Sequence, residues 1–67
     1  MEISARNQWK GTVTEVKLGQ VMAEVVVDIG GQEVVSAITR GSVERLGLKE
    51  GDNVTVIIKS TEVMIGK

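Results

Sequence analysis

The segment Val21–Ile29 constrains the fold more than any other part of the sequence. Val21, Ala23, Val25, Val27 and Ile29 alternate with Met22, Glu24, Val26 and Asp28, the two-residue period of a β-strand with one face turned to a core. The second face is mixed rather than polar, so part of it is expected to be covered too, by another strand layer or another subunit. Gly30-Gly31 follows at once, and two residues that tolerate positive φ make a strong turn signal. Gln32–Thr39 then alternates again, with Val34, Ser36 and Ile38 set against Val35, Ala37 and Thr39. A hairpin of two strands cannot hold itself together in water, so the flanking segments must complete the sheet.

They are suited to it. Trp9–Leu18 reads as a strand whose alternation slips near Val16, the mark of a bulge or bend of the kind small barrels need at their corners. Gly19-Gln20 is a turn. Beyond the hairpin, Ser42 is expected as the N-cap of one short helix, with Glu44 in its first turn, Val43 and Leu46 on one face, and Gly47 as its stop. Lys49-Glu50-Gly51-Asp52 is a charged turn, Asn53–Lys59 a fourth strand, and Glu62–Ile65 a short fifth. Three strands, a short helix and two more strands predict an all-β domain, the five-stranded barrel of the OB-fold with its helix between strands 3 and 4. Residues 1–67 form one domain, with no linker, low-complexity segment or internal repeat.

Size bears on assembly. A chain of 67 residues buries only about 60% of its unfolded surface, and domains this small are commonly reinforced by disulfides, a metal or self-association. There is no cysteine and no histidine, which leaves self-association. The net charge is −1, no apolar run approaches the ~18 residues of a membrane span, and no basic-then-apolar leader opens the chain. A cytoplasmic protein with no membrane partner is expected.

The same composition narrows the chemistry. Without His or Cys there is no imidazole base and no thiolate nucleophile, and the carboxylates are scattered through strands and turns, so catalysis is rejected. No phosphate loop or dinucleotide fingerprint is present. Single-strand binding by OB-folds uses aromatic platforms in a basic groove, whereas Trp9 is the one aromatic here and reads better as a core or interface anchor. A small oxyanion asks for less: donors alone, with some positive charge beside them. Three clusters combine hydroxyls with cations: Ser4-Ala5-Arg6-Asn7, Thr39-Arg40-Gly41-Ser42 and Lys59-Ser60-Thr61. Each has an ordinary alternative as a helix cap, an edge-strand residue or a solvated charge. Spacing alone does not choose between these readings.

Four segments add a resemblance. Ile3-Ser4-Ala5-Arg6-Asn7-Gln8 opens the chain, and Ala37-Ile38-Thr39 leads to Ser42-Val43. Leu46-Gly47-Leu48 with Gly51-Asp52-Asn53-Val54 follows, then Ile58-Lys59-Ser60-Thr61 with Val63-Met64. In this order and at this length the chain resembles the molbindin (Mop-type) family of molybdate- and tungstate-binding proteins, in its single-domain form. The resemblance implies an OB-fold (Mop/TOBE-like) subunit, a homohexamer built as a trimer of dimers, and oxyanion sites at subunit interfaces. It implies contributions from Ser4, Ala5 (through its backbone amide) and Arg6, from Thr39 and Ser42, and from Lys59 and Ser60. Storage or buffering of molybdenum or tungsten as the free oxyanion is the implied role, with no directly coordinating side chain and no organic cofactor. A molybdenum-pterin ranks below the oxyanion, because a pterin ring needs a flat apolar slot and one aromatic residue gives little to build it. Gly41 before Ser42 and the large Trp9 depart mildly from the family pattern. The alternatives are a structural or protein-interaction OB module and a single-strand nucleic-acid binder.

Overall fold

The computed structural model describes residues 1–67 and contains the predicted hairpin, whose first strand supplies most of the core. Strand β2 (Met22–Asp28) buries Ala23, Val25 and Val27, three of the five residues expected on the inner face, while Ile29 is half-buried and Val21 is exposed. It pairs antiparallel with β3 (Glu33–Thr39) from Met22↔Thr39 to Asp28↔Glu33. Between them Gly30 and Gly31 both take positive φ, 106° and 97°. Asp28 secures this turn: its Oδ1 accepts from the N–H groups of Gly31 (2.8 Å) and Gly30 (3.0 Å). Those two bonds favour the charged carboxylate and hold Asp28 below its ordinary range.

Strand β1 (Asn7–Leu18) is the long element on which the sheet turns. Its second half pairs with β2 and its first half with β4 (Asn53–Ile58), giving the order β3-β2-β1-β4. Asn7 to Leu18 is eleven steps of ~3.3 Å, about 36 Å of extended chain. That is about as long as the whole chain's largest principal extent, 34 Å, and β1 bends along its course. The bend lies at a register shift between Val13 and Glu15. Val13 opposes Val27 and Val16 opposes Val25, so two residues three apart face the same core. An inserted residue, here Thr14, is what allows it.

Gly11 lies at the crossing. A Cβ there would fall 2.6 Å from Val27 Cγ1 and 2.7 Å from the Asp28 carbonyl oxygen, so the two strands approach as closely as a glycine permits.

The helix α1 (Arg40–Leu46) occupies the expected place between strands 3 and 4, with two corrections. Its N-cap is Thr39, not Ser42. Thr39 Oγ1 accepts from the Ser42 N–H at 3.1 Å and donates to Ser42 Oγ at 2.8 Å. A β-strand end already supplies the extended backbone an N-cap requires, so capping falls to the last residue of β3 (φ −69°, ψ 149°). Glu44 is consequently beyond the first turn and pairs with Arg40 at i,i+4, 2.8 Å away. Gly47 ends the helix in the left-handed conformation, as expected. Val43 is buried against the sheet, whereas Leu46 is 62% exposed.

In the following turn Lys49 binds Asp52 through both its ammonium (3.1 Å) and its backbone N–H (3.0 Å), which keeps the Asp52 carboxyl below its ordinary range. Gly51 takes the positive φ there.

The fifth strand does not form within the chain. After β4, Ser60–Glu62 makes one 3₁₀ turn (η1), and residues 63–67 continue without regular structure. Val63, Met64 and Ile65 touch too little of their own chain to be drawn in, the last two being about nine-tenths exposed. The architecture is therefore an open, curled four-stranded antiparallel sheet, a half-barrel of OB type, with one short helix. Its core is Val13, Ala23, Val25, Val27 and Val43. Five buried residues are a small core for 67, which sharpens the argument for assembly. No helix is long and apolar enough to cross a membrane.

Candidate oxyanion site

The seven candidate residues fall into two groups at opposite ends of β1. Ser4, Ala5 and Arg6 lead into its first residue, and Asn7 stands opposite Ile58 in the β1–β4 ladder. Continuing that antiparallel register by one step sets Arg6 opposite Lys59, with Ser60 next. The first and last sequence clusters are thus neighbours, though about fifty residues apart along the chain.

Thr39 and Ser42 are elsewhere. Thr39 pairs with Met22, next to the Leu18↔Ala23 end of β1. The Arg40 N–H donates to the Val21 carbonyl (2.8 Å), and Arg40 Nη1 reaches the Gly19 carbonyl (3.3 Å), tying the helix start to the β1–β2 turn. No hydrogen bond or ion pair joins this group to Arg6 or Lys59.

At the first end a further residue has a role that sequence reasoning left unassigned. Gln8 Nε2 donates to the Ala5 carbonyl at 2.6 Å and so fixes the bend that carries Ser4–Arg6. The Ala5 N–H takes part in none of the chain's own hydrogen bonds, which leaves it free to donate outward. Gln8 belongs to the Ile3–Gln8 segment, and a long amide three residues after a strand-entry loop was the available signal. Lys59 has an extended backbone before η1 and no side-chain capping bond. Arg6 and Lys59 make no ion pair, whereas Lys17, Arg40 and Lys49 each do.

At the other end, the bond between the two hydroxyls changes the donor count. Thr39 spends its proton on Ser42 Oγ, so the pair presents one outward hydroxyl proton and not two. No cluster of three or more His, Cys, Asp or Glu side chains that could hold a metal ion exists.

None of the four concavities of the chain is lined by any of the seven residues. The largest, about 720 Å³, is polar and lies over the middle of β1. An apolar cleft of about 380 Å³ between β3 and β4 is where a closed barrel would have its fifth strand. The two groups of candidate residues therefore lie apart on one chain, and no concavity of it encloses either.

A small OB-type half-barrel with one short helix is the structural class. The TOBE domain model matches residues 3–65, and the chain belongs to that family. Within it the chain is similar to single-domain proteins. It is 59% identical over 66 residues to molybdenum-pterin-binding protein 3 of Clostridium pasteurianum, covering 97% of both chains. A molybdate-binding protein of Sporomusa ovata superposes with a TM-score of 0.95 at 48% identity, with all of both chains covered. The cytoplasmic molybdate-binding protein ModG, solved with molybdate bound, superposes with a TM-score of 0.85 at 41% identity, over 90% of this chain and 43% of that one. These relatives are named for binding, not for catalysis.

Proposed function

We propose that this chain binds molybdate or tungstate as the free oxyanion, at sites assembled between subunits of a homohexamer, and serves in intracellular molybdenum or tungsten storage. The observation that carries the reading is the division of the site. Arg6 with Lys59, and Thr39 with Ser42, stand at opposite ends of β1 and no concavity holds either group. A tetrahedral dianion has acceptor oxygens only and needs donors from several directions, which two surfaces brought together supply and one does not. Arg6 and Lys59 provide the charge, the Ala5 amide and the Ser4, Ser42 and Ser60 hydroxyls the direction, and Thr39 supports Ser42. The small core supports assembly on independent grounds.

The relatives' names divide between a molybdenum-pterin and molybdate. The free oxyanion is favoured because Trp9, the single aromatic, lies on the ladder with Val56 and not in either half-site. A cytoplasmic location accords with the described location of ModG.

Calorimetric titration with molybdate, tungstate, sulfate and phosphate, alongside the solution mass, tests the reading. Saturable heat with molybdate or tungstate and a sixfold mass are expected. Absence of heat and of any rise in thermal midpoint with all four anions would sink it, since a ligand that binds only the folded state must stabilise it. Arg6→Ala combined with Lys59→Ala should abolish the heat and leave the mass unchanged; unaltered affinity would move the site elsewhere.

A further inference from the structure

The outer face of the β1–β4 ladder has a charge pattern unlike the rest of the molecule. Its outward positions are Gln8, Lys10 and Thr12 on β1 and Asn53, Thr55 and Ile57 on β4, all exposed, and none is a carboxylate. Alternation continues through the half-buried Asn7 and Ile58 to exposed Arg6 and Lys59. Three cations, Lys10, Arg6 and Lys59, thus share one face without a pairing anion. The cations engaged by carboxylates, Lys17, Arg40 and Lys49, lie off it. Asp28 borders the far end opposite Thr12, where one of its oxygens accepts from the Gly30 and Gly31 amides. In a chain of net charge −1, this segregation makes a local positive field.

We infer that this face is an electrostatic approach for the dianion and that Lys10 attracts the ligand from a distance without touching it. The inference rests on the oxyanion reading above and concerns a residue outside the seven. Lys10 is four residues from Arg6, about 14 Å along the strand. That is beyond any hydrogen bond, yet well inside the screening length of ~30 Å at 0.01 M ionic strength and beyond the ~8 Å at 0.15 M. A unit charge and a dianion at that separation in water attract enough to change affinity about twofold at the lower salt, and less than about 1.3-fold at the higher.

The test is calorimetric titration of the full chain with molybdate at both ionic strengths. Lys10→Gln should weaken binding about twofold at 0.01 M and Lys10→Glu three- to fourfold on the same arithmetic, with both losses collapsing at 0.15 M. Lys49→Gln, the same change in net charge placed in the turn before β4, should leave affinity unchanged. Lys10→Glu binding as tightly as the parent at low salt overturns the inference. So does a loss that persists undiminished at high salt, which would mean contact, or a Lys49→Gln effect equal to that of Lys10→Gln, which would mean net charge alone. Those outcomes leave the oxyanion reading standing. A parent protein giving no heat with molybdate removes that reading and this inference together.

Discussion

Gly11 offers the sharpest test of how the sheet is packed. Replacing it with alanine adds one methyl group, and the site has no space for it: 2.6 Å to Val27 Cγ1, 2.7 Å to the Asp28 carbonyl oxygen and 3.1 Å to Ile29 Cγ2. The first contact involves a side chain in a buried position, Val27 being 3% exposed and packed among Val13 and Val25. The second involves backbone held in the β1–β2 ladder, where Thr12 pairs with Asp28. Neither neighbour moves without disturbing the core or the ladder. Overpacking of this kind costs about 1–3 kcal/mol. A domain of 67 residues has a total stability of ~3–10 kcal/mol, so the loss is a large share of it. Urea unfolding followed by circular dichroism, at one fixed subunit concentration, should show the midpoint falling with an unchanged slope. Adding Val27→Ala removes one clash and leaves the backbone one, so the double variant should not recover the parent's stability. Gly41→Ala is the matched control. Nothing lies within 4 Å of its added Cβ, its φ is not positive, and it sits inside α1, so a gain of ~0.5–1 kcal/mol is expected. A Gly11→Ala midpoint indistinguishable from the parent's would refute the close crossing of β1 and β2.

Thr39→Ala should destabilise the protein by about 1 kcal/mol through loss of the helix cap, read as a lowered thermal midpoint, and Thr39→Ser should restore it. Acid should weaken the fold through Asp28 and Asp52, whose folded-state pKa values lie below the ordinary 3.8. Between the folded and unfolded values the unfolded chain binds the proton, so this stability is complete above about pH 4 and is lost as pH falls through the folded value. Thermal midpoints measured from pH 7 to pH 2 should flatten at the acid end in Asp28→Asn and Asp52→Asn relative to the parent; an identical pH profile would contradict the turn geometry.

The amino-acid sequence by itself determined the elements whose signals are local. Alternation in Val21–Ile29 and Gln32–Thr39, with Gly30-Gly31 between them, specifies the β2–β3 hairpin because a two-residue period and a positive-φ turn are properties of neighbouring residues. Gly47 likewise marks the end of the helix, and the slipped alternation near Val16 announces a bulge, which lies between Val13 and Glu15. The four motif segments carry the family. What only the tertiary structure decided is set by residues distant in the chain. Thr39 displaces Ser42 as the cap because β3 delivers its last residue in extended geometry to the start of the helix. Glu62–Ile65 has the composition of a strand, yet a strand needs a partner, and Glu62 is taken into η1 while the residues after it pair with no strand of the sheet. The division of the candidate site is also tertiary. Three similar clusters of hydroxyl and cation are alike in sequence, and pairing of β1 with β4 on one half and β2 on the other sets two of them side by side and the third at the strand's far end.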